Sequence, residues 1–279
     1  MIDVSGLTFQ WPKATSPILH GLSFHIARGE VYGLLGPSGA GKSTTQAILM
    51  GLLGGYSGKV NVLGAPIGTL GRKFYERIGV SFELPTLYLR LTARENLTLF
   101  AALYDTPTRD PMEVLAMVDL AADADKRVEA FSKGMKMRLN LCRALLHDPE
   151  LLFLDEPTTG QDPGRARLTR ALIARLKVEG KTVFLTTHNM AEAAEICDRV
   201  GFLVDGQIAV TGRPTELMHQ YGKPILRVQT AAGLHEFPMQ NIGENAEFHA
   251  LLAAGGIVSM HTLEAGLDDV FIRATGGVA

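Results

Sequence analysis

The run Gly36-Pro37-Ser38-Gly39-Ala40-Gly41-Lys42-Ser43-Thr44 fits the pattern G-x-x-x-x-G-K-[ST]. Glycines at those spacings let backbone N–H groups curl around a polyphosphate, and a helix starting at its end adds positive potential. Lys42 supplies a point charge for β- and γ-phosphates, and the Ser43 hydroxyl is a ligand of the type Mg²⁺ takes. A plain glycine-rich turn with an exposed lysine is the competing reading. It needs neither a strand before the run nor a helix after it, and both are predicted here, at Val31–Leu35 and from Gly41 onward. The run is read as a nucleotide phosphate site.

Two acids follow an apolar stretch in Leu151-Leu152-Phe153-Leu154-Asp155-Glu156-Pro157. An Asp at the C-terminal end of such a strand reaches a Mg²⁺ beside a phosphate loop. The next residue, Glu156, is placed to orient or deprotonate the water that attacks a γ-phosphate. Alone, the pair also fits an acidic turn; the phosphate loop upstream favours the chemical role. His188 follows another strand, Thr182–Thr186, and sheet geometry would aim it at the same phosphates as a sensor or orienter.

The elements that must carry these residues are legible as a pattern. Short apolar stretches at Ile2–Phe9, Leu19–Ile26 and Glu30–Leu35 predict strands, and Gly41–Leu53 predicts a helix. Strand signals recur at Lys59–Leu63 and Ile78–Phe82. Residues 92–148 read as helical: Ala93–Tyr104 behind a Thr92/Glu95 capping box, then Met112–Leu120 and Lys133–Leu146. Leu151–Leu154, helix Gly164–Glu179, Thr182–Thr186, helix Met190–Cys197, Arg199–Val204 and Gln207–Thr211 alternate as a parallel sheet covered on both faces would. The texture shifts around Gly222-Lys223-Pro224. Beyond it, strands near Ile225–Gln229, His235–Pro238 and Ile257–Thr262 accompany helices near Ala246–Ala254 and Leu267–Ala274.

Composition bounds the remaining choices. The chain has 279 residues, 46% hydrophobic and 20% charged, which excludes a disordered or fibrous protein. Lys and Arg number 27 against 29 Asp and Glu, a net charge of −2 without the basic excess a general nucleic-acid binder needs. Cys142 and Cys197 match no metal or redox spacing and are read as buried free thiols. The N-terminus Met1-Ile2-Asp3-Val4-Ser5 has no leader pattern, and no apolar run reaches the roughly 18 to 20 residues that span a bilayer. Mean hydropathy is nonetheless +0.12, greasy for a domain that works alone.

In order and spacing, these motifs resemble the nucleotide-binding domain of an ABC transporter over about residues 1–215. The resemblance implies an α/β P-loop NTPase fold with a mostly parallel core sheet, an antiparallel β subdomain, a helical subdomain at about 84–148, and a small α+β extension at 216–279. It implies ATP and Mg²⁺ as ligands, with Ser43, Asp155 and Glu83 on the metal and Glu156, His188 and Glu83 at the reacting phosphate. Trp11 takes the family's adenine-stacking position, a structural tryptophan being the other reading. The signature segment is Phe131-Ser132-Lys133-Gly134-Met135, whose Ser132 and Gly134 would touch ATP held by an opposing protomer; a simple helix cap at Ser132 is the alternative.

Four residues depart from the family pattern. Glu83 stands for a Gln, Lys133 and Met135 replace a Gly and a Gln, and Gln161 replaces an apolar residue before Asp162, which is left available for a protomer contact. None removes a phosphate ligand, so an active ATPase is expected. Gly266-Leu267-Asp268-Asp269-Val270-Phe271 is similar to the ending of exporter-type bacterial members, although plain helix packing explains it equally. The resemblance further implies a head-to-tail dimer, with itself or a paralogous ATPase. It also implies a separate membrane permease docking on the apolar stretch Leu84–Leu91, and a position on the cytoplasmic face of the membrane. A soluble ABC-type ATPase and an ATP-dependent regulatory switch are the alternatives to transport.

Overall fold

The computed structural model describes residues 1–222, 224–263 and 265–276. Two compact units divide it, Met1–Thr211 and Gly212–Ala279, so the division falls at 211/212 rather than 215/216. Lys223, where the texture of the sequence shifts, and the end of the expected extension at 277–279 lie outside the described residues.

In the first unit, strands β1 (Ile2–Phe9) and β2 (Leu19–Ile26) precede β3 (Val31–Leu35) and helix α1 (Lys42–Leu49). Next come β4 (Ser57–Val62), β5 (Ala65–Pro66), the single turn α2 (Arg72–Tyr75) and β6 (Ile78–Ser81). Helices α3 (Ala93–Ala101), α4 (Pro111–Met117) and α5 (Lys133–Leu145) then lead to β7 (Leu151–Asp155). The unit closes with α6 (Pro163–Val178), β8 (Thr182–Thr187), α7 (Met190–Ile196), β9 (Arg199–Val204) and β10 (Gln207–Gly212).

Two sheets result. One has four strands in the order β2-β1-β4-β5, with antiparallel pairs throughout. The other has six, in the order β10-β9-β3-β8-β7-β6, and its pairs β9/β3, β3/β8, β8/β7 and β7/β6 are parallel. Every residue of β3 and β8 is buried, as strands covered on both faces must be. Phe24, Tyr32, Phe153 and Phe184 form a connected aromatic cluster, with Phe24 and Tyr32 stacked at 5.6 Å. Truncating either fully buried Phe, 153 or 184, removes on the order of 3–5 kcal/mol.

Local rules set most helix starts. Thr92 and Glu95 form the expected reciprocal capping box of α3, and Asp110-Pro111 and Asp162-Pro163 open α4 and α6 with a side-chain cap and a proline at the first position. Helix ends fall short of the pattern. Helix α1 stops at Leu49 rather than Leu53 because Gly51 turns the chain at φ +72°, and α3 stops at Ala101 rather than Tyr104.

The second unit holds α8 (Pro214–Tyr221), β11 (Ile225–Thr230), β12 (Leu234–Pro238), α9 (Ala246–Ala254), β13 (Ile257–Leu263) and α10 (Leu267–Ala274). Its antiparallel sheet runs β12-β11-β13 over a small core of Val228, Phe237 and Phe248. Helix α8, whose apolar residues Pro214, Leu217, Met218 and Tyr221 recur at helical spacing, has no counterpart in the sequence reading.

Candidate functional site

Four strand ends deliver the chemistry. Strand β3 leads into the glycine loop, β6 into Glu83, β7 ends at Asp155 with Glu156 next, and β8 ends one residue before His188. Because β3, β8, β7 and β6 are parallel neighbours, these ends share one edge of the sheet, where α/β folds place ligands. The result is a cleft of about 270 Å³ joining Ser38, Gly39, Gly41, Lys42, Ser43 and Thr44 to Glu83, Asp155, Glu156 and His188.

The loop is held open for an anion. Gly41 caps α1 from the left-handed region at φ +107°, and no side chain accepts from the helix's first N–H groups. Those donors therefore await an external acceptor. Gly39, at φ +84°, would carry a Cβ into open space, whereas a Cβ on Gly36 would stand 2.2 Å from the Leu203 carbonyl oxygen. Gly36 thus serves close packing of the loop on β9 and does not line the cleft. Pro37 and Ala40 line a second cleft of about 360 Å³ that shares Ile18, Ser38 and Gly39 with the first and adds His20 and Asp205. The Lys42 ammonium donates to the carbonyls of Gly36 (2.7 Å) and Pro37 (2.9 Å). Burial pulls its pKa below the ordinary lysine value, and the charges of Glu156, Asp155 and Glu83 work the other way.

Asp155 faces the Thr186 hydroxyl, and burial lifts its carboxyl above the usual aspartate value against that hydrogen bond. Glu156 is 7% exposed and fully engaged. Its Oε1 accepts the His188 backbone N–H at 3.0 Å and faces His188 Nδ1 at 2.7 Å. Its Oε2 accepts the hydroxyls of Thr187 at 3.0 Å and Thr159 at 3.3 Å. The Glu156 backbone sits at φ +48°, a left-handed conformation that costs a non-glycine residue about 1–3 kcal/mol. Strain of that kind, at a carboxylate held by four donors, marks a position the fold over-determines.

Against three acids the cleft sets one ammonium, and such an excess suits a divalent cation arriving with an anionic ligand. Among the described residues no three His, Cys, Asp or Glu side chains cluster closely enough to hold a metal alone. Ser43, Asp155 and Glu83, which line the cleft, carry oxygen donors of the kind Mg²⁺ takes.

Other expected residues lie outside this cleft. Trp11, 41% exposed, sits edge-on to Phe9 at 5.2 Å. Ser132 caps α5 through the Met135 N–H at 3.2 Å, and a Cβ on Gly134 would come within 2.9 Å of the Gly160 carbonyl. Asp162, expected from the sequence to be available for a protomer contact, also caps α6, its Oδ1 accepting the Arg165 N–H at 3.0 Å. Gln161 is tied down through the Pro157 carbonyl and the Thr169 hydroxyl, both at 2.9 Å, which gives a polar residue a place where an apolar one was expected.

The stretch Leu84–Leu91 is an irregular loop with a tethered backbone; Pro85, Leu87 and Leu91 are half-buried, and the Tyr88 ring lies 5.9 Å from that of Phe100. Arg143 donates to the Thr86 carbonyl at 2.9 Å, and buried Asn96 exchanges hydrogen bonds with both backbone groups of Tyr88. Leu84 (77%), Tyr88 (54%) and Leu89 (49%) remain exposed.

Sequence reasoning missed Thr159, Thr186 and Thr187, the hydroxyls that hold Asp155 and Glu156. Two threonines directly before His188 in a strand buried at every position were the available signal, since a buried hydroxyl must find a partner.

A family model described as ABC transporter matches residues 19–159. A fluoroquinolones export ATP-binding protein of Mycobacterium tuberculosis (strain CDC 1551 / Oshkosh) is 50% identical, over 99% of this chain and 93% of that protein. Nod factor export ATP-binding protein I of Rhizobium meliloti (strain 1021) is 37% identical, over 99% of this chain and 88% of its own length. A dimeric post-hydrolysis ATP-binding cassette bound to ADP and Pi superposes with a TM-score of 0.68 at 25% identity, over 76% of this chain and 98% of that one.

Proposed function

Since this chain belongs to the ABC transporter family and is an ATPase, we propose that it powers export through a separate membrane permease. The observation that carries the reading is the convergence of Lys42, Ser43, Asp155, Glu156 and His188 on one cleft. Two copies, or one copy and a paralogous ATPase, close head to tail around two ATPs. Each Ser132–Gly134 segment then faces the partner's nucleotide, and the exposed ring of Trp11 offers a face for adenine. Ser43, Asp155 and Glu83 would hold Mg²⁺, which would supply positive charge against the β- and γ-phosphates.

Within each site Lys42 moves from the loop carbonyls to the phosphates, where its charge is stabilised. Glu156 accepts the proton of the attacking water, and His188, seated on Glu156 Oε1, orients that carboxylate. Leu84, Tyr88 and Leu89 present an apolar surface on a loop that starts beside Glu83, so events at the γ-phosphate pass directly to a docked permease helix. No helix among the described residues is long and apolar enough to cross a membrane. On its likeness to export ATP-binding proteins, the chain works at the cytoplasmic face, and its membrane partner selects the exported compound.

ATP turnover by the purified chain, alone and with membranes carrying its partner, tests the reading. Lys42→Ala should lose nucleotide binding or turnover, and unchanged turnover in that variant would remove the site assignment.

A further inference from the structure

Glu192 lies in the first turn of α7, four residues beyond His188, and is 3% exposed. It does not line the cleft. Its Oε2 accepts the Thr158 hydroxyl at 2.7 Å, while Oε1 is buried without a hydrogen-bond partner. The Glu192 N–H donates to Asn189 Oδ1 and the Asn189 N–H to Thr187 Oγ1, both at 3.0 Å. That threonine hydroxyl in turn donates to Glu156 Oε2. Thr158 stands two residues past Glu156, and its carbonyl accepts the Gln161 N–H at 3.1 Å, at the start of the turn that reaches Asp162.

These bonds close a ring from Glu156 through Thr187, Asn189, Glu192 and Thr158 and back along the chain to Glu156. Strands β7 and β8 set Glu156 and His188 side by side, but the chain leaves the sheet after each of them. Glu192 joins the two departing segments one turn beyond the pair. Burying a carboxyl with one partner is costly, and burial, with Glu156 and Glu195 nearby, pushes its pKa up against the Thr158 bond and Arg170. An apolar residue would fill the same space at lower cost, without fixing the direction of Thr158.

We propose that Glu192 is a positioning residue for ATP hydrolysis, which through Thr158 holds the Glu156–Asp162 segment in register with the one bearing His188. The inference rests on the roles given above to Glu156 and His188.

Steady-state ATPase kinetics on the full chain test it. Glu192→Ala and Thr158→Val each remove the bond and should lower kcat about 10- to 100-fold, the cost of a small misplacement, with KM for ATP within about twofold. The double variant should be no slower than the worse single one. Glu192→Gln and Thr158→Ser keep an acceptor and a donor and should restore most of the turnover, which a requirement for packing volume alone would not produce in the serine variant. Wild-type kcat in Glu192→Ala, additive losses in the double variant, or a Gln variant as slow as the Ala one would each overturn the proposal. If Glu156→Gln abolishes turnover in the same assay, such a result leaves the reading of Glu156 standing; a wild-type chain without ATPase activity would overturn both.

Discussion

The imidazole of His188 and the carboxylate of Glu156 are bonded twice, through ring Nδ1 at 2.7 Å and the backbone N–H at 3.0 Å, both on Oε1. Where the carboxylate is ionised it can only accept, and Nδ1 is then the ring nitrogen that donates to it. Exposure divides the pair: the His188 side chain is 69% exposed and that of Glu156 9%. The buried carboxylate is thus held by a residue that itself meets solvent.

From this follows an ordering of variants. Glu156→Gln should lower the rate of phosphate release by at least about 10²-fold while ATP-dependent dimers accumulate. His188→Ala should lower it less, and the double variant should match Glu156→Gln alone, because groups acting as one unit lose their function once. Phosphate release and light scattering with ATP read both effects.

Substitution of two loop glycines should separate stability from binding. Gly36→Ala drives a Cβ to 2.2 Å from the Leu203 carbonyl and should cost on the order of 2–4 kcal/mol in denaturant unfolding. At Gly39 a Cβ meets nothing, so alanine there costs about 1–2 kcal/mol for its φ of +84° and chiefly weakens nucleotide binding. Equal losses of stability would contradict this division.

Leu84→Glu and Tyr88→Ser should leave the unfolding midpoint nearly unchanged, within about 0.5 kcal/mol, since both side chains are exposed. What should fall is sedimentation with partner-containing membranes and the stimulation of ATPase activity by them. Undiminished membrane association would remove Leu84–Leu91 from the docking surface.

Stability should also decline in mild acid through His147. Its Nε2 lies 2.8 Å from the Ile78 carbonyl, its ring stacks on Tyr104 at 4.0 Å, and Nδ1 is buried without a partner. Burial depresses its pKa below the ordinary 6.5. The unfolded chain therefore binds a proton that the folded ring resists, and stability is lost as pH falls through about 6.5, by at most about 1.4 kcal/mol per pH unit from this group. Unfolding midpoints between pH 8 and 5 should show this slope, and His147→Gln should flatten it.

Much of the molecule was legible because local chemistry wrote it. The glycine spacing of 36–44, the Thr92/Glu95 box and the apolar runs of β3, β7 and β8 each act within one element. Short elements and element ends were not: α8 spans only about two turns, although Pro214, Leu217, Met218 and Tyr221 recur at helical spacing, and the end of α1 depended on the conformation of Gly51.

The sequence by itself determined which strand each candidate group would follow, because loop, strand and cap rules depend on neighbours along the chain. Only the tertiary structure decided how those groups are held. The Thr187 and His188 bonds to Glu156 cross 31 and 32 residues, Thr158 meets Glu192 across 34, and Arg143 meets Thr86 across 57. Such partners are chosen by the parallel order of β3, β8, β7 and β6, in which strands distant along the chain end at one edge. A buried donor there bonds to whichever acceptor the packing brings within 3 Å, and no local pattern records that choice.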